Sequence, residues 1–100
     1  MKHQKVEGDD MKLEIADFKE RTGSLAVTQF NKGERLLTRG EMDTAISCYS
    51  QAIDLKPDYA TAYSQRGFAY AFQCKYDDAI ADFTEAIRLK PDLAQAYYNR

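Results

Sequence analysis

The chain has 100 residues, of which 44% are hydrophobic and 30% charged, and its formal net charge is -2. That length allows one small domain, and the composition is that of a folded soluble chain rather than a disordered one. The charge balance gives no electrostatic footprint for nucleic acid, no apolar run approaches the ~20 residues of a membrane span, and two cysteines with one remote His3 argue against a zinc or disulfide framework.

Residues 1–10 are polar, and Gly8-Asp9-Asp10 marks them off as a flexible tail. Met11, Ile15 and Phe18 then fall four and three apart, which predicts a short flanking helix over 11–22 that Asp10 caps and Thr22-Gly23-Ser24 ends. Ser24 caps the next helix, over 25–38, and Gly40 supplies a turn residue that tolerates left-handed backbone. Asp43 opens a partner helix whose Ala45, Ile46, Tyr49, Ala52 and Ile53 follow helical and not strand spacing; Pro57 stops it after Leu55. Asp58 caps a helix to Phe72, a Gln73-Cys74-Lys75 turn follows, and Asp77 starts a helix toward Leu89 that Pro91 closes. Cys74, in the turn, is expected to be exposed, and Cys48, within a helix, to be packed and inert.

Gly33, Ala45, Ala52 and Pro57 return as Gly67, Ala79, Ala86 and Pro91, a 34-residue period, and the densest match is Leu-Lys-Pro-Asp at Leu55 to Asp58 and again at Leu89 to Asp92. Ala94, Ala96 and Tyr97 begin the pattern a third time, after Ala60, Ala62 and Tyr63. A fixed period of this size is the mark of a stacked-repeat architecture. The expectation is an all-α chain of tandem helix-turn-helix units, an α-solenoid of about two and a quarter repeats: 26–59, 60–93 and the partial 94–100, together a domain over 24–100. Small residues at Gly33 and Ala45, and at Gly67 and Ala79, let the two helices of a unit approach closely, while Tyr49 and Phe83 fill the wedge between them.

Tyr63, Gly67, Tyr70, Tyr76, Ala79, Phe83, Ala86 and Pro91 resemble the pattern of the tetratricopeptide repeat family. The first unit is looser: Gln29 replaces the first large aromatic, and Lys32, like Arg66 after it, stands where the family usually has Leu. The resemblance implies a concave groove lined by the first helix of each unit, and therefore a non-catalytic module that binds a peptide or an amphipathic helix of a partner protein. Carried onto this chain, the contact residues are Phe30, Asn31, Glu34, Ser64, Gln65, Phe68, Phe72, Tyr98 and Asn99, flanked by Val27, Leu37, Thr61 and Gln95. Asn31, Gln65 and Asn99 form a periodic amide ladder similar to that of the O-linked N-acetylglucosamine transferase repeats, suited to bonding a peptide backbone. The Lys, Asn and Arg set with which co-chaperones of the family grip chaperone C-terminal carboxylates is replaced here by Phe30, Glu34, Gln65, Gln95 and Asn99, so an apolar or amphipathic segment is favoured over an acidic tail.

No Gly-rich phosphate loop and no nucleophile-base pair stands out, so no enzyme activity, catalytic residue, metal site or cofactor is expected. Asp77 and Asp78 read as a helix N-terminal pair favoured by the macrodipole. With no signal core behind Met1, a cytoplasmic protein is expected, with neither membrane nor nucleic acid as partner. Two other readings stay open: a homo-oligomer that docks or swaps an uncapped C-terminal face, and a regulatory or targeting fragment of a larger enzyme.

Overall fold

The computed structural model describes the backbone of residues 2–92 and the side chains of residues 18–92. Four helices follow in order: α1 (Lys2–Thr38), α2 (Met42–Leu55), α3 (Ala60–Phe72) and α4 (Tyr76–Leu89). Each packs on the next, α1 on α2, α2 on α3 and α3 on α4, so two helical hairpins stack in the order of the chain. Among the described residues there is no strand. The starts and stops around Gly40, Pro57 and Cys74 fall within one or two residues of those the sequence predicts.

α1 departs from expectation. A tail over 1–10 and a break at Thr22-Gly23-Ser24 are predicted, but the helix runs without interruption from Lys2 through Gly23 to Thr38. Hydroxyls at and just after the expected break find acceptors inside the helix. Thr22 Oγ1 donates to the carbonyls of Phe18 (3.1 Å) and Lys19 (3.0 Å), and Thr28 Oγ1 donates to that of Ser24 (3.0 Å). An isolated glycine costs a helix only about 1 kcal/mol, so it weakens the helix without forcing it to end. At 1.5 Å per residue α1 is far longer than α2, so its N-terminal part runs past its hairpin partner.

Both hairpin turns close in the same way. Gly40 N–H donates to Leu37 O (3.0 Å) and Glu41 N–H to Leu36 O (2.9 Å); one period later Cys74 N–H donates to Ala71 O (2.9 Å) and Lys75 N–H to Tyr70 O (2.9 Å). This is the paired Schellman closure, whose central residue must be left-handed. Gly40 has φ 80° and Cys74 has φ 60°. The expected Asp58 cap is not made: the N-cap of α3 is Tyr59, one residue later, and no side chain caps it. Backbone bonds hold that turn instead, from Tyr59 N–H to Lys56 O and from Ala60 N–H to Asp58 O, each 3.0 Å.

The interior is built largely from alanine. Ala26, Ala45, Ala52, Ala62, Ala69 and Ala86 are fully buried, and Tyr49 is the one large side chain as deeply enclosed among the described residues. The glycines serve the aromatics directly. A Cβ at Gly33 would stand 2.7 Å from the Tyr49 ring, and one at Gly67 would stand 2.9 Å from that of Phe83. Each hairpin therefore closes by laying an aromatic ring from its second helix onto bare backbone of its first, 16 residues earlier.

Candidate functional site

Stacking the hairpins sets α1 beside α3, and each presents a stripe with helical spacing: Val27, Asn31, Glu34 and Thr38 on α1; Thr61, Gln65, Phe68 and Phe72 on α3. Glu34 joins the stripes. Its Oε1 accepts hydrogen bonds from Gln65 Nε2 of α3 (2.7 Å) and from the hydroxyl of buried Tyr49 on α2 (2.5 Å). Burial pushes the Tyr49 phenol well above its ordinary range, and the hydrogen bond to the Glu34 carboxylate pushes it further. Burial first, then the same carboxylate, also raises Tyr59. One carboxylate thus ties three helices together where the stripes meet.

The nine residues singled out by sequence divide in their use. Phe30 packs against the buried cluster of Ala52, Ile53 and Ala62, with its ring stacked on Tyr59 (centroids 5.1 Å apart) and tilted against Tyr49 (5.7 Å). Phe68 meets Phe83 edge-on at 5.0 Å, and Ser64 is buried. Glu34 and Gln65 are half-buried and bonded to each other. Asn31 and Phe72 lie open on the surface, and Phe72 is 69% exposed. Val27 and Thr61 are exposed too, and Leu37 is half-buried. Tyr98 and Asn99, with Gln95, lie outside the described residues.

Two arrangements were not foreseen. The first is the Glu34 junction itself, since nothing in the period announces that a carboxylate, an amide and a phenol 15 and 31 residues away converge. The second is a buried ion pair. Arg66 Nε and Nη2 donate to the two oxygens of Asp82, each at 2.8 Å, and Nη1 reaches Ser50 Oγ on α2 at 3.1 Å. Asp82 is buried, and the guanidinium sits over Tyr63 and Tyr70 at 5.5 and 5.9 Å from the ring centroids. The hydrogen bond to Asp82 holds the Arg66 guanidinium above its already high range. A sequence clue existed, because the departure from Leu at Arg66 comes with an acid at Asp82 where the first unit has Cys48.

In the first hairpin the corresponding residues are Lys32, exposed, and Cys48, buried; with Gln29 and Leu36 they border a hollow of about 290 Å³ away from the paired stripes. Cys74 is exposed, as its turn position implies. Among the described residues no three His, Cys, Asp or Glu side chains are grouped to hold a metal ion, and no helix is long and apolar enough to cross a membrane.

Comparison with known proteins gives the same picture of paired helices. Residues 33–73 match a family model described as TPR repeat, and residues 60–93 match one described as Tetratricopeptide repeat. Among solved structures, the first TPR of Spaghetti (RPAP3) bound to the HSP90 peptide SRMEEVD is similar over 75% of this chain and 60% of its own, with 28% identity and a TM-score of 0.72. Two structures of MamA are 30% identical over 70% of this chain, with TM-scores of 0.64 and 0.62. This chain spans 41% and 38% of those MamA chains. With two glycine-seated hairpins in register with a 34-residue period, and family models matching from 33 to 93, the chain belongs to the tetratricopeptide repeat family.

Proposed function

We propose that the chain is a non-catalytic, cytoplasmic protein-interaction module that receives an apolar or amphipathic segment of a partner, extended or helical, along the stripes of α1 and α3. The observation that carries this reading is the pairing of exposed Val27, Asn31, Thr61 and Phe72 on neighbouring helices around the Glu34 junction. Exposed apolar side chains beside amides suit a peptide, which offers both side chains and backbone. The similar structure of a TPR in complex with a peptide supports the same class of ligand. Phe30, Ser64 and Phe68 then act as the floor that holds the stripes in place, and Asn31, Gln65 and Phe72 act as the contact surface.

Selecting displayed random peptides on the whole chain tests this. Peptides enriched on the unaltered protein should lose at least about tenfold in affinity for the Asn31→Ala/Phe72→Ala variant, as expected when contacts worth more than about 1 kcal/mol are removed. Both positions are exposed, so the variant should keep its stability. Equal affinity for both forms would remove the groove reading.

Self-association is a second reading, favoured by one observation: α4 exposes Tyr76 (61%) and Ile80 (62%). Sedimentation at several concentrations distinguishes a monomer from a dimer lost in Ile80→Asp.

A further inference from the structure

The proposed groove has an internal charge pattern. Among the described stripe residues Glu34 is the one that is charged, and no ion pair joins it to a basic side chain of the described residues; Arg35, exposed, follows it but points about 100° further around the helix. Its Oε1 accepts from fully buried Tyr49 and from Gln65, which hold the carboxylate in place, and among the described residues no donor is bonded to Oε2. The apolar groups stand on either side. Val27 lies two turns before Glu34 on α1, and Phe72 lies two turns beyond Gln65 on α3, roughly 10 Å along the helix in each case.

Resting on the groove reading, we propose that Glu34 determines specificity and that the ligand is a segment with a central lysine or arginine between two apolar side chains. The cationic head meets Glu34, and the apolar side chains lie against Val27 and Phe72. A half-buried carboxylate braced by neutral donors rewards a cation through a charge-assisted hydrogen bond and repels an acid at the same point. The preference is thus opposite in charge to the SRMEEVD peptide held by the similar structure, whose terminal stretch is acidic.

The test is a fluorescence anisotropy titration of the full chain with two synthetic peptides of one length, each with a leucine on either side of its centre, identical except that a lysine or a glutamate stands at the centre. The lysine peptide should bind about tenfold more tightly. That advantage should shrink as salt is raised, and should disappear in Glu34→Gln, whose amide oxygen still accepts from Tyr49 and Gln65. A melting curve of the variant shows whether the junction survives, and the comparison of two peptides on the unaltered chain needs no variant at all. Equal binding of both peptides, or a lysine preference that persists in a folded Glu34→Gln protein, would overturn the inference while leaving the groove intact. Binding of neither peptide would overturn both.

Discussion

Cys74 carries a left-handed backbone with φ 60°, and its thiol is exposed at the head of the second hairpin. Gly40, in the same place one period earlier, adopts that conformation without a Cβ to crowd the following carbonyl. Cys74→Gly should therefore stabilise the chain by about 1 kcal/mol, less what the freer unfolded backbone takes back. The expected rise in Tm is about 5 °C, measured by calorimetry; an unchanged or lower Tm would mean that the Cys74 side chain contributes more than its strain. This position was legible in the sequence, because the 34-residue register sets Cys74 against Gly40. The use of Gly33 and Gly67 was legible only in part. Their smallness pointed to close approach, but the partner is an aromatic ring rather than the facing alanine, and ring placement depends on how the two helices of each hairpin pack.

At the scale of elements, the second hairpin is locked by Arg66 and Asp82 with the help of Ser50, so the pair also couples α2 to the α3–α4 unit. Buried pairs cost desolvation nearly equal to their attraction, yet removing one member strands the other. Arg66→Leu and Asp82→Leu should each cost about 3 kcal/mol in urea unfolding, whereas the double variant should lie within about 1 kcal/mol of the starting protein. Additive losses in the double variant would show that the side chains act independently. The helices of both hairpins were legible from the spacing of Ala45, Tyr49 and Ala52 and of their counterparts. The continuity of α1 was not, because Gly23 with its flanking hydroxyls resembles a stop, and only the helix itself supplies the carbonyls that accept from Thr22 and Thr28. Local breaker signals are weak priors against an established helix on either side.

At the scale of the molecule, repetition places α1 and α3 side by side, and the pairing of their stripes follows from that placement rather than from any one residue. The stacked architecture was legible from the period alone. The division of labour along the stripes was not: Phe30 and Phe68 look as available as Phe72 in a string of letters, and only packing against Tyr59 and Phe83 separates floor from surface. The amide ladder fares likewise, since Gln65 is bonded to Glu34 while Asn31 is exposed.

The most direct measurement is a nitrogen-proton chemical-shift map of the full chain as the lysine-centred peptide is added. Binding along the stripes predicts the largest changes at Val27, Asn31, Gln65 and Phe72, with α4 little affected. Changes centred instead on Tyr76 and Ile80, with none at Asn31 or Phe72, would contradict it and make the exposed face of α4 the binding surface.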